Sequence, residues 1–278
     1  MAIAPESDTG SETELSTTWE VTGTAHPVIA LTPPPSPEVT TQPTWPRPAW
    51  SLLDMLTAVI GGSGLGGIIA LTAVLLLPSL VPSWPLSAVR AGGALAMSAG
   101  LCFGVWVMLR RHALSWSAIG LRSVDWRAIA LMPLLALALA IVGGICFVVV
   151  LSVVGDAIRP ASPEIPPTPL PLVDLVWTTL PTLLGPPVAE EVTFRGLLYP
   201  WLRGRVAARW AVVITAGLFS VSHLLYGISL PLLAPLFVLG LLLALVVERT
   251  RSLYPAIALH FSYNVIAAAL TLLPAILV

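Results

Sequence analysis

From Trp50 onward the chain is a succession of seven apolar stretches, 52–80, 87–109, 127–154, 170–203, 208–227, 230–248 and 252–276. As helix, each is long enough to cross a hydrocarbon core, which takes about 20 residues. Inside lipid every backbone polar group must be satisfied internally, so only helices and closed barrels are open to such a chain. Barrel strands alternate apolar and polar residues. "IIALTAVLLL" and "LFVLGLLLALVV" do not alternate. The predicted fold class is therefore all-α, a polytopic transmembrane helical bundle of about seven spans. Pro181, Pro186 and Pro187 predict a kink or a split in the fourth span near Gly185. Composition agrees: 10% of the residues are charged, where a soluble domain carries about a quarter. A net charge of −1 supplies no field for nucleic acid, so no nucleic-acid partner is expected.

The chain divides into three parts. Residues 1–49 are rich in Pro, Ser and Thr, include "TPPPSP" (32–37) and hold six acids against one arginine. Such a segment buries too little apolar surface to fold, and it reads as a disordered tail. It lacks the basic start and apolar centre of a signal peptide. Residues 50–109 supply the first two transmembrane helices, and 110–278 the remaining core. Cys102 and Cys146 lie in apolar runs and read as small fillers. Trp50, Trp116, Trp126, Trp201 and Trp210 stand near span ends and read as interfacial anchors. Arg110, Arg111, Arg122, Arg127, Arg203, Arg205, Arg209, Arg249 and Arg251 fall in alternate connections, while 155–169 holds Arg159 alone. By the positive-inside rule the arginine-rich connections are cytoplasmic. Seven spans then leave the N-terminus in the cytoplasm and the C-terminus outside, in a multi-pass protein of a bacterial cell membrane.

Against this background "AEEVTFRG" (189–196) stands out. A charge at bilayer depth costs about 2.5–3.5 kcal/mol on insertion scales, and such residues usually serve a function. The ionisable residues inside the spans are Glu190, Glu191, Arg195, His223 and His260, with Asp54 and Asp174 near span starts, where caps are common. Counted from the arginines, Glu190 and His223 lie roughly 20 Å along their helices and His260 roughly 13 Å. Three helices thus bring them to comparable depth, in a polar cavity expected to open to the cytoplasmic side. Glu191 and Arg195 are four residues apart and can pair on one face. Glu190 points about 100° away and is left available. His260 with Asn264, and Phe219 with His223, repeat the four-residue spacing.

The three segments "EEVTFR" (190–195), "FSVSH" (219–223) and "HFSYN" (260–264) follow one another on successive hydrophobic helices. In that order they resemble the motifs of the CPBP intramembrane proteases, a family that includes CAAX prenyl endopeptidases of the Rce1 type and bacterial Abi-type proteins. The resemblance covers roughly residues 110–270. It implies an intramembrane endopeptidase acting on a membrane-embedded or lipid-anchored peptide, with a CAAX-like or prenylated substrate as one form. Glu190 and His223 would activate a water, and His260 and Asn264 would bind the oxyanion. Arg195 would hold Glu191, itself a further candidate, and Phe219 would shape the substrate pocket. Glu190, His223 and His260 could also make a His₂Glu zinc site with one open position. H-E-x-x-H is absent, and the glutamate-base reading needs no cofactor, so it is preferred with zinc as the alternative. Two other classes compete. A non-catalytic scaffold or immunity-type regulator would tolerate loss of Glu190 or His223. A proton-coupled transporter would show an inverted repeat or paired broken helices, and neither is found.

Overall fold

The structure, a computed structural model, describes residues 47–81, 84–154 and 172–277. The tail 1–49, but for its last three residues, and the connection 155–169 lie outside the described residues. Among the described residues there are helices and no strand. Six helices are long and apolar enough to cross a membrane by length and composition, the result expected of an all-α polytopic bundle.

The first two are α1 (Leu52–Leu80) and α2 (Leu86–Arg111). Ser51 opens α1 with a reciprocal cap. Its hydroxyl accepts from the Asp54 N–H at 3.2 Å, and Asp54 Oδ2 accepts from the Ser51 N–H at 2.8 Å. Asp54 is thus a cap residue, as expected. It also faces His112 Nε2 at 3.3 Å, tying the start of α1 to the end of α2. In lipid no hydrophobic force draws two helices together, so small residues that admit close backbone contact carry the packing. Gly62 and Gly66 of α1 meet Gly100 and Gly104 of α2 in this way. A Cβ on Gly66 would stand 2.7 Å from Met97 Cα. Leu53, Ile60, Ile68 and Leu71 leave the outer face of α1 exposed and apolar.

Helix α3 (Trp126–Ala130) starts at Asp125, whose side chain accepts from the Arg127 N–H at 3.0 Å. Helix α4 (Met132–Val154) follows. The fourth expected span is a composite: α5 (Leu172–Glu191), a π-helical segment (Val192–Leu198) and α6 (Tyr199–Arg203). It does not split near Gly185. Helix α5 runs through Pro181, Pro186 and Pro187, and the α geometry is lost only after Glu191. Prolines are tolerated inside membrane helices where surrounding structure can satisfy the backbone groups they free. Gly185 lies so close to α2 that a Cβ there would stand 2.7 Å from Ser98 Oγ. The chain continues through α7 (Ala208–Ser222), a 3₁₀ turn (His223–Tyr226), α8 (Leu233–Thr250) and α9 (Leu253–Leu277). Between α8 and α9 the turn is made by Arg251 at φ 55, a non-glycine residue in the left-handed region.

The arginine-bearing connections meet at one end of the bundle. Leu253 N–H donates to Gly120 O at 2.8 Å, and Ser252 Oγ donates to Arg122 O at 2.7 Å. Arg203 pairs with Glu248 at 3.2 Å, and Tyr199 OH donates to the same carboxylate at 2.7 Å. Trp50 belongs to this end but is not a lipid-facing anchor. It is buried, and its Nε1 donates to Leu197 O at 3.4 Å. Trp126 and Trp210 are exposed, as anchors are. Cys102 and Cys146 are half-buried free thiols.

Candidate active site

Glu190 and Glu191 are the last two residues of α5, where the ladder widens into the π-helical segment. Single π turns inside α-helices recur at functional sites. Here the segment carries Arg195 back to Glu191, and the two side chains are fully buried. Arg195 Nη1 donates to Glu191 Oε1 at 3.0 Å, and Nη2 donates to the Gly240 carbonyl of α8 at 3.0 Å. The guanidinium carbon lies 4.4 Å from the centre of the Phe219 ring. Phe219 is the plate on which the cluster is built. It meets Phe194, His223 and His260 edge to face, at centroid distances of 5.4, 4.8 and 5.7 Å.

Both histidines are oriented through Nδ1. The nitrogen of His223 lies 2.8 Å from Phe219 O. A carbonyl only accepts, so Nδ1 of His223 carries the proton. His260 Nδ1 lies 3.0 Å from Glu191 Oε1, the same oxygen that Arg195 binds. A carboxylate paired with arginine also only accepts, so His260 donates there. Nε2 of each ring is thereby turned towards Glu190. Glu190 Oε2 lies 4.0 Å from His223 Nε2 and 3.7 Å from His260 Nε2. This oxygen is buried without a hydrogen-bond partner among the described residues. A buried carboxylate oxygen so placed, with two imidazole nitrogens around it, suits a small polar guest such as water.

The structure thus brings together Glu190, Glu191, Arg195, Phe219, His223 and His260, from α5, the π-helical segment, α7, the 3₁₀ turn that follows it, and α9. Asn264 lies one turn beyond His260 on α9 and is half-buried. Two participants escape a reading of the sequence. Phe194, inside the first motif, packs on Phe219. Gly240 offers its carbonyl to Arg195 because α7 and α8 nearly touch there, and a Cβ on it would stand 2.9 Å from Ala216 Cα. A lone glycine in the apolar run "LFVLGLLLALVV" was the available signal of that approach.

The set does not fit zinc as it stands. Bonds of about 2.0–2.1 Å in a tetrahedral site put ligand atoms about 3.4 Å apart. The separations around Glu190 Oε2 are wider, at 3.7 and 4.0 Å. No group of three or more His, Cys, Asp or Glu among the described residues is disposed to hold a metal ion.

Residues 172–266 match the family model described as type II CAAX prenyl endopeptidase Rce1-like. The match is consistent with the CPBP family, and it holds all seven residues singled out in the sequence. It is shorter than the expected 110–270 and leaves α1 to α4 outside. With six helices fit to cross a membrane, it supports an integral membrane protein. Comparison with curated proteins and with solved structures gives no match.

Proposed function

We propose that the chain is an intramembrane endopeptidase that hydrolyses a peptide bond in a membrane-embedded or lipid-anchored substrate. The match of residues 172–266 to an Rce1-like family supports CAAX-type endopeptidase activity in general. One observation carries the residue assignment: the unpartnered Oε2 of Glu190, faced by two imidazoles whose Nδ1 atoms are both engaged.

In this reading a water lies within hydrogen-bond reach of Glu190 Oε2 and His223 Nε2. Glu190 takes its proton as the oxygen adds to the substrate carbonyl carbon, a general-base step. The neutral His223 has its lone pair on Nε2 and accepts the other hydrogen bond of the water, which fixes the attacking lone pair. The oxyanion is met by His260 and Asn264. For Nε2 of His260 to donate, the ring must carry protons on both nitrogens, because Nδ1 already donates to Glu191. Glu191 is therefore more than the partner of Arg195: it orients His260, whose charge is balanced by Glu190 at 3.7 Å before the water is deprotonated and by the oxyanion afterwards. When the intermediate collapses, the leaving amine takes back the proton held by Glu190. The arginine-bearing end faces the cytoplasm in this account, with the N-terminus on the same side, and the substrate reaches the site from there.

The test is cleavage of quenched, membrane-anchored peptides by the purified chain in lipid vesicles, with Glu190→Gln as control. Cleavage lost in that variant supports the reading. A silent wild type over the whole library favours a scaffold.

A further inference from the structure

Helix α8 gives no side chain to the candidate active site, yet both sides of that site are fastened to it. On one side stands α7, which leads into His223. Ser220 Oγ donates to Leu233 O at 2.7 Å, and at Gly240 the two helices come so close that a Cβ would stand 2.9 Å from Ala216 Cα. On the other side stands the span that carries Glu190. Arg195 Nη2 donates to Gly240 O at 3.0 Å. Eight residues further along α8, about 12 Å at 1.5 Å per residue, Glu248 takes hold of the same span. Its Oε2 accepts from Tyr199 OH at 2.7 Å, and its Oε1 accepts from Arg203 Nε and Nη2 at 3.2 Å each.

Both oxygens of Glu248 are engaged, and among the described residues their bonds go to Tyr199 and Arg203, not to either histidine of the site. Tyr199 is fully buried, and a hydrogen bond to a carboxylate in such a place is a strong one. Arg195, Tyr199 and Arg203 stand four residues apart. In an unbroken α-helix, residues so spaced drift round the axis by about 40° at each step. The wider π turns, which end at Leu198, take up part of that drift and let all three reach α8. Glu190 and Glu191 close α5 immediately before those turns. Two fastenings on one helix fix the height and the rotation of the span, whereas one alone leaves it free to turn about Arg195.

We propose that Glu248 is a positioning residue for the hydrolysis: by holding Tyr199 and Arg203 it sets Glu190 against the Nε2 atoms of His223 and His260. The claim rests on the endopeptidase reading, so its test joins kinetics to a readout that needs no substrate. Full-length protein carrying heavy nitrogen in its four histidines is placed in lipid nanodiscs, and the ring-nitrogen resonances of wild type and variants are compared. The same preparations are given a cleaved, membrane-anchored peptide. Glu248→Ala moves the resonances of His223 and His260 and lowers kcat about a hundredfold with KM unchanged, the usual cost of a ~1 Å misplacement. Tyr199→Phe removes one oxygen, keeps the packing and acts in the same direction, and it carries the test if Glu248→Ala does not fold. Glu248→Gln still offers Tyr199 an acceptor and recovers most of what Glu248→Ala loses. Arg249→Gln, at the exposed neighbouring position, behaves as wild type. Three results overturn the proposal: unmoved resonances of both site histidines in the folded variants, a loss of activity that only tracks folded yield, or a raised KM at unchanged kcat. If the wild type cleaves no peptide, the endopeptidase reading fails on its own, and the histidine resonances alone decide whether Glu248 sets the site.

Discussion

Replacing Arg195 by alanine tests whether the buried pair holds the site together. Arg195 and Glu191 are both fully buried, 3.0 Å apart. Removing the guanidinium leaves the buried Glu191 carboxylate with His260 Nδ1 as its remaining donor, at a cost of about 3–5 kcal/mol for a broken buried pair. The Gly240 carbonyl also loses its donor, which adds about 1–3 kcal/mol. The contact with the Phe219 ring goes as well. These losses share one side chain and do not add fully, so the net expectation is about 3–5 kcal/mol. The assay is equilibrium unfolding in mixed micelles, read by circular dichroism. A companion variant sharpens it. Glu191→Gln with Arg195→Met removes both charges at similar volume, and such exchanges are often neutral or stabilising. The double variant is therefore expected to be more stable than Arg195→Ala alone. If Arg195→Ala unfolds within about 1 kcal/mol of wild type, a surface-pair magnitude, or if the double variant is the weaker, the clamp argument fails.

Gly240→Ala brings a methyl against the Ala216 backbone of α7 and is expected to cost about 1–3 kcal/mol by overpacking; the same unfolding assay reads it. Gly217→Ala, which meets nothing within 4 Å, is the control that keeps wild-type stability. Asn264→Ala is expected to retain folded yield while cleavage slows by about 10²–10³, the usual effect of losing one oxyanion donor. Single-turnover kinetics on a cleaved peptide measure it. Cysteines placed at 110, 205 and 251 are expected to label from the same, cytoplasmic, face of the membrane; labelling of any two from opposite faces contradicts the orientation.

Much of this architecture was legible in the sequence, because apolar length is a strong signal in lipid. The ends of α1 and α2 fall within two residues of the expected spans. The pairing of Glu191 with Arg195 was legible too, since residues four apart share a helix face, and the π-helical widening leaves that pair intact. Other features were not. A tryptophan at a span end looks the same whether it faces lipid or protein, and Trp50 turned inward to Leu197. The three prolines pointed to a kink or a split near Gly185; the helix does not split there, and the α geometry is lost only after Glu191. No single residue type marks a π turn. The bond from Glu191 to His260 spans 69 positions, and matching depth alone could not say which glutamate would meet which histidine.

The central claim is that Glu190 is the base that activates water, and Glu190→Gln tests it most directly. Glutamine keeps the size and hydrogen-bonding reach of the side chain but cannot take a proton. Wild type and variant are reconstituted in the same vesicles and followed on one cleaved, membrane-anchored peptide. The account predicts loss of cleavage with folded yield and unfolding midpoint nearly unchanged. Cleavage by Glu190→Gln at the wild-type rate would contradict it.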